Sequence, residues 1–321
     1  MLRVMPTTST WRGSSVTIHN GNLSEVTRHV PSFERRPFAI ASPDSGGARD
    51  NRRLDSIVRL PIDDDTHCIP VGVVSKDYAL LPHATVVDAV VKALEEARID
   101  PAGVEAELRL TELGERMALS LRLPDSYLFD PGDRYPMTVR LECLNSVDGS
   151  TKFRAVMGWF RLVCSNGLAI GVTRSESDRR HVGDLQLEHI GAVLRAGMNE
   201  YKLERDTLLR WRDMEVGVER LREWVDCDLK ARWGFKAAAR AFHIARSGCD
   251  VEIVGPYKRH TPTTIPVETA DAVPGSPPES TSLFDLSQIL AWLAKERRDI
   301  QEQMDWREQI PALIAPLAAR T

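Results

Sequence analysis

Two runs of strict alternation, Val104 to Leu110 (V-E-A-E-L-R-L) and Met117 to Leu123 (M-A-L-S-L-R-L), constrain this chain more than any other feature. Successive strand side chains point to opposite faces, so this pattern describes a ribbon with one face in a core. The joining residues, Thr111 to Arg116, are mostly polar around Gly114, and the two runs therefore read as an antiparallel hairpin. A second hairpin joins Met137 to Leu144 with Lys152 to Val163 across Asn145 to Ser150, where Asp148-Gly149 is a favoured turn pair because Gly accepts a positive φ. A sheet of this kind needs a cover. Between Thr85 and Arg98, Val86, Val87, Val90, Val91 and Leu94 recur at helical spacing; Thr85 with Asp88 suggests a cap, and Asp100-Pro101 a stop. Val71 to Val74 and Tyr78 to Leu81 precede it as two short strands or one bent strand, ended by Pro82.

After residue 184 the period changes. Leu185, Leu187, Ile190, Val193, Leu194, Met198, Leu203, Leu208, Leu209 and Trp211 sit among charges at helical spacing, and long helices are expected through Leu229. A further helix spans Gly234 to Arg246, a short strand Val251 to Val254, and a last helix Leu283 to Arg307. The expected fold class is α+β: a largely antiparallel sheet packed by a helix, followed by a helical C-terminal half. The expected organisation is an irregular N-terminal extension over 1–67, a sheet module over 68–183, a helical region over 184–260, a linker or loop over 261–282 and a C-terminal helix over 283–321. The first boundary rests on a Ser-, Thr-, Pro-, Gly- and Arg-rich composition, the linker on five prolines in the 21 residues from Thr261 to Thr281.

The 321 residues carry 42 Lys and Arg against 46 Asp and Glu, a net charge of −4, so any hold on nucleic acid must come from local clusters. Cys68, Cys143, Cys164, Cys227 and Cys249 form no CxxC pair, which fits neither a disulfide framework nor a zinc ribbon. With no apolar run near the ~20 residues needed to cross a bilayer, a cytoplasmic protein with no membrane partner is expected.

At Asp148-Gly149-Ser150, and again at Arg161, Val163, Cys164 and Asn166, the chain resembles the bacterial phage/plasmid-like family known as domain of unknown function 932. That family's pattern is a hairpin turn ending in Asp-Gly-Ser, followed by a strand closing on Arg-x-Val-Cys-x-Asn; its frequent His before Asp-Gly is replaced here by Val147. A looser similarity runs over about residues 70–300 and takes in Leu283-Phe284-Asp285-Leu286. The resemblance implies a mobile-element context and no established reaction.

Catalytic signals are thin. Cys164 could be a nucleophile if a cation or His lowered its pKa, but no sequence-local His does so, and buried packing is the commoner role of Cys. Asn166 reads as a cap or turn residue, and Arg161, at a strand end, as a partner for a carboxylate such as Glu142. Asp63-Asp64-Asp65 with His67-Cys68 offers metal ligands, although adjacent acids on a loop are usually just solvated. No Walker loop, dinucleotide fingerprint, HExxH or serine elbow occurs, and no cofactor or metal is expected.

The positive signal is basic and aromatic. Lys230, Arg232, Lys236, Arg240, Lys258 and Arg259, interleaved with Trp233, Phe235, Phe242 and Tyr257, would let cations track phosphates while Trp233 or Tyr257 stacks on bases. Core packing of the aromatics with solvated cations is the plain alternative. A second cluster, Arg28, Arg35, Arg36, Arg49, Arg52, Arg53 and Arg59, lies in the N-terminal region. The leading expectation is a non-enzymatic nucleic-acid-binding protein, single-stranded DNA favoured, loosely similar in element order to ring-forming annealing proteins. A host-protein-binding factor and a Cys- or acid-dependent hydrolase are the alternatives, and the charged helices would suit a homo-oligomer.

Overall fold

The computed structural model describes residues 10–41, 47–62, 66–133, 135–161, 167–168, 188–253, 267–273, 275–280 and 282–319. Strands β1 (Thr10–Trp11) and β2 (Ser14–Asn22) lead into a single helical turn, α1 (Leu23–Val26), whose Asn22 and Glu25 form a reciprocal cap. Next come β3 (Phe33–Ala41), β4 (Ala48–Arg59) and β5 (Ile69–Ser75), then helix α2 (His83–Glu96). The two hairpins follow as β6 (Glu105–Thr111) with β7 (Arg116–Arg122) and β8 (Met137–Ser146) with β9 (Arg154–Arg161), and β10 (Gly167–Leu168) ends the series. The seven-stranded antiparallel sheet has the order β1-β2-β6-β7-β8-β9-β10, and β3-β4-β5 forms a second sheet. The remaining elements are α3 (Glu188–Asp213), α4 (Val218–Trp224), α5 (Lys230–Ser247), the pair β11 (Cys249–Ile253) and β12 (Val267–Ala272), α6 (Leu283–Lys295) and α7 (Ile300–Ala318).

Alternation decides which face is covered. Leu108 and Leu110 of β6, Leu119 and Leu121 of β7, Val139 and Leu141 of β8, and Met157 and Trp159 of β9 join one apolar core with α2 through α7. The intervening residues, among them Glu107, Ser120, Arg140 and Phe160, lie on the opposite face. There the first turns of α7 cover one end, where Met304 and Ile300 pack on Trp11, Ala118, Leu144 and Val156. The expected α+β class holds, and both expected hairpins form, as β6 with β7 and β8 with β9.

Several expectations change. Residues 10–41 and 47–59 do not form an irregular extension: β2 is a full member of the large sheet, and β3 and β4 pair along most of their length. Their residues are exposed on both faces for much of that length, so no alternation betrays them. Tyr78 to Leu81 is not a strand; Tyr78 turns inward and donates its hydroxyl to the Ser146 carbonyl at 3.2 Å. Helix α2 starts at His83 behind Pro82 rather than at Thr85. In the expected linker, Val267–Ala272 forms β12. The last helix is two, because Asp299 caps α7 by accepting from the backbone N–H groups of Gln301 and Glu302. Gly234 interrupts α5 with φ 84°, a left-handed conformation that favours Gly, and the helix expected to begin there resumes after it.

Candidate functional site

The arginine-rich N-terminal segment folds into a projecting ribbon. Strand β5 accompanies β4 only over Leu54–Arg59, whereas Ala39–Ala41 pair with Ala48–Asp50 beyond that third strand. Between the two stretches the register shifts, and the Asn51 side chain accepts from the backbone N–H groups of Arg53 (2.8 Å) and Leu54 (3.0 Å), a local turn that shapes the bulge. Arg35 is committed to Asp55, and Arg36 pairs with Glu34. Arg49, Arg52 and Arg53 are exposed, and no carboxylate of the described residues pairs with any of them. Residues 33–59 hold six Arg and four acids, +2, which leaves −6 on the rest of a chain of net charge −4. Phe33, Ile57, Val74, Tyr78 and Val147 root the ribbon in a small apolar cluster.

The basic segment on α5 is divided by its packing. Lys230, Arg232 and Lys236 lie on the exposed side with Phe235, which is 48% exposed. Arg232 donates to Gln309 at 3.1 Å, and the Lys230 ammonium stands 6.0 Å from the Phe235 ring centre. Trp233 is buried and stacked on Trp306 with ring centres 4.3 Å apart, so it is not placed to stack on a base. Arg240 forms a paired ion bridge to Asp250, which also accepts from Trp292 Nε1 at 2.8 Å. Burial opposes ionisation of Asp250, but the bonds from Arg240 and Trp292 outweigh it and hold its pKa below the usual value. Arg240 thus ties α5 to β11 rather than facing solvent as a phosphate ligand. Tyr257, Lys258 and Arg259 lie outside the described residues.

The family-motif residues mark two ends of the β8–β9 hairpin. At the turn, Gly149 has φ 74°, Asp148 accepts from Arg116 Nη2 at 3.1 Å, and Ser150 Oγ accepts from Arg116 Nε at 2.8 Å. Arg116 Nη1 donates to the Trp11 carbonyl, so one guanidinium clamps this turn to β1 and β7. Gly72 runs so close that a Cβ there would lie 2.9 Å from Asp148 Cα. At the far end Arg161, fully buried, donates to Gln288 Oε1 at 2.9 Å and to Asp133 at 2.5 Å, with its guanidinium 4.9 Å from the Phe284 ring centre. The partner expected for it, Glu142, instead holds Arg307 of α7 at 2.7 Å. Asp133 displaced it as partner because residues 142 and 161 sit at opposite ends of their strands: Glu142 pairs across to Val156 and Arg161 to Met137. Val163, Cys164 and Asn166 lie outside the described residues, as do Asp63, Asp64 and Asp65.

Among the described residues no three His, Cys, Asp or Glu side chains converge on a metal position. The Cys143 thiol, fully enclosed, is pushed up to about 12 by burial and by the adjacent Glu142 charge, a thiol rather than a nucleophile. No described helix is long and apolar enough to cross a membrane. Sequence reasoning missed one group: Arg122 and Arg140, at alternate positions of β7 and β8, line a groove on the open face of the sheet with Phe160. Alternation assigns them to that face, but not the tertiary partners that set their state.

No curated protein and no solved structure matches the chain, so the likeness to annealing proteins rests on element order alone. A family profile, described as Domain of unknown function (DUF932), matches residues 70–238, from β5 into α5 and short of the Phe284 segment. It contains the clamped Asp148-Gly149-Ser150 turn and Arg161, and over that half of its length the chain belongs to the DUF932 family.

Proposed function

We propose that this protein binds nucleic acid without transforming it, gripping phosphates with the arginines of the β3–β4 ribbon. The observation that carries the reading is the set Arg49, Arg52 and Arg53: exposed cations, unmatched by any carboxylate of the described residues, on a two-stranded ribbon that extends past its supporting sheet. Such a ribbon fits a major groove about 12 Å wide, and arginines along it neutralise phosphates on either side. Trp233, expected to stack on stripped bases, is occupied by Trp306, so the proposed ligand is a duplex rather than the single strand favoured by sequence. The exposed Lys230, Arg232 and Lys236 form a second, weaker basic surface.

The test is fluorescence anisotropy with labelled duplex and single-stranded DNA at two salt concentrations. The wild type is compared with Arg49→Ala/Arg52→Ala/Arg53→Ala and with Lys230→Ala/Arg232→Ala/Lys236→Ala. The expected result is salt-sensitive duplex binding that the ribbon variant loses, its log-affinity against log-salt slope falling by about 2–3, roughly one per phosphate contact removed. Equal binding by wild type and ribbon variant, or no binding at low salt, would reject the proposal and place a protein partner first.

A further inference from the structure

The groove on the open face of the seven-stranded sheet has a volume of about 440 Å³, within the range of small-molecule sites. Three arginines line it, and two are already neutralised. Arg122 bonds Glu105 at 2.8 Å and Asp125 at 3.0 Å, while Arg161 holds Asp133 and Gln288. Arg140 is different. Its nearest carboxylate oxygen, on Glu142, is 4.0 Å away, and both oxygens of Glu142 are engaged by Arg307, at 3.0 and 2.7 Å. No described residue accepts a hydrogen bond from the Arg140 guanidinium.

The position of Arg140 is nevertheless fixed. Its guanidinium lies 4.6 Å from the centre of the Phe160 ring, whose surroundings also include Arg307 at 5.2 Å, and its side chain is only 16% exposed. Arg140 lines the groove beside Phe160. Burial draws the Arg140 pKa down from its ordinary value against the opposing charges of Glu142 and Glu107, with Arg307 and Arg109 adding to the lowering; an arginine still keeps its proton near neutral pH. A held, charged, five-donor fork with no acceptor among the described residues suits an anion, and its planar geometry matches a carboxylate or phosphate.

The opposite wall sets what the rest of the ligand must be. Glu105 and Glu107 stand there beside Asn20, paired with Arg122 at 2.8 Å and with Arg109 at 2.6 Å, so that wall offers acceptor oxygens rather than a second anion site. We propose that this groove binds a small organic anion, a phosphomonoester or carboxylate, whose charged end pairs with Arg140 and whose other end presents hydroxyl or amino donors to Glu105 and Glu107. Ser120 and Thr138 also line the groove. The inference is independent of the ribbon and stands whether or not the protein holds nucleic acid.

Isothermal titration calorimetry with three probes tests it: inorganic phosphate, deoxyadenosine monophosphate and glutamate, each against wild type, Arg140→Lys and Arg140→Gln. Arg140→Lys keeps the positive charge over Phe160, and with it the fold, but loses the fork; circular dichroism checks both variants. At least one organic probe is expected to bind wild type more tightly than inorganic phosphate does, and to lose tenfold or more in Arg140→Lys. Failure of every probe to bind wild type, unchanged affinity in folded Arg140→Lys, or inorganic phosphate binding as tightly as both organic anions would overturn the proposal.

Discussion

The His83 ring is fully buried between two polar partners: Nε2–H donates to the Gly114 carbonyl at 2.9 Å, and Nδ1 accepts from the Asn145 side-chain amide at 2.9 Å. Burial lowers its pKa to about 4, against smaller opposing effects of the Gly114 bond and the Asp148 charge. A depressed folded pKa means that His83 supports the fold fully above its unfolded value near 6.5, and that this support is lost as pH falls towards about 4. Glu204 on α3 has the opposite sign. It is 9% exposed, its Oε1 has no partner among the described residues, and burial together with Glu200 raises its pKa to about 8. Its contribution is complete below the unfolded value near 4.5 and declines as pH rises through about 8. Glu204→Gln is therefore expected to stabilise the protein by about 2 kcal/mol at alkaline pH and by much less in acid, while His83→Gln flattens the acid limb. Urea midpoints measured across the pH range check both; a Glu204→Gln gain that does not grow with pH would contradict the first.

Between elements, the Asp250 carboxylate joins three: Arg240 from α5, Trp292 Nε1 from α6, and its own strand β11. Removing it strands a guanidinium and an indole N–H, so Asp250→Ala is expected to cost about 3 kcal/mol in unfolding free energy. Arg240→Ala should destabilise as well, with a coupling above about 1 kcal/mol in the double-mutant cycle and no change in DNA affinity of the folded protein. A loss of DNA affinity at unchanged stability would return Arg240 to the binding surface. Sequence showed Arg240 and Lys236 four residues apart on one helical face, but not the carboxylate that separates their roles. Legibility followed burial throughout. The β6–β7 and β8–β9 hairpins were readable because one face of each enters the core, whereas β3 and β4, exposed on both faces, left only composition. The break between α6 and α7 hides in Glu296-Arg297-Arg298-Asp299, charges that any solvated helix could carry; Asp299 followed three residues later by Glu302 was the readable cap signal. Arg140 was legible as outward-facing, but its lack of an acceptor among the described residues depends on Glu142 being taken by Arg307, 165 residues away.

At the scale of the whole molecule, a helix-backed sheet carries a polar groove and a basic arm, and the two differ in how they depend on the core. The groove is built from strands β2 and β6 to β9 and cannot be removed without dismantling the sheet. The arm beyond Leu54 pairs only with itself, and its root cluster of Phe33, Ile57, Val74, Tyr78 and Val147 lies below that point. Pro37 faces Asp55 across the ribbon, so replacing residues 38–54 by Asn-Gly closes the hairpin with a two-residue turn at that register. Because the root and the main core stay intact, the shortened protein is expected to unfold cooperatively within a few degrees of wild type, a shift of about 1 kcal/mol or less. Its net charge becomes more negative, since Arg49, Arg52 and Arg53 leave with only Asp44 and Asp50. The proposed duplex DNA binding should vanish while the proposed anion affinity of the groove is unchanged. Calorimetric unfolding alongside both binding assays makes the separation measurable: a non-cooperative melt would show that the arm belongs to the folding unit, and retained DNA binding would move the interface to α5.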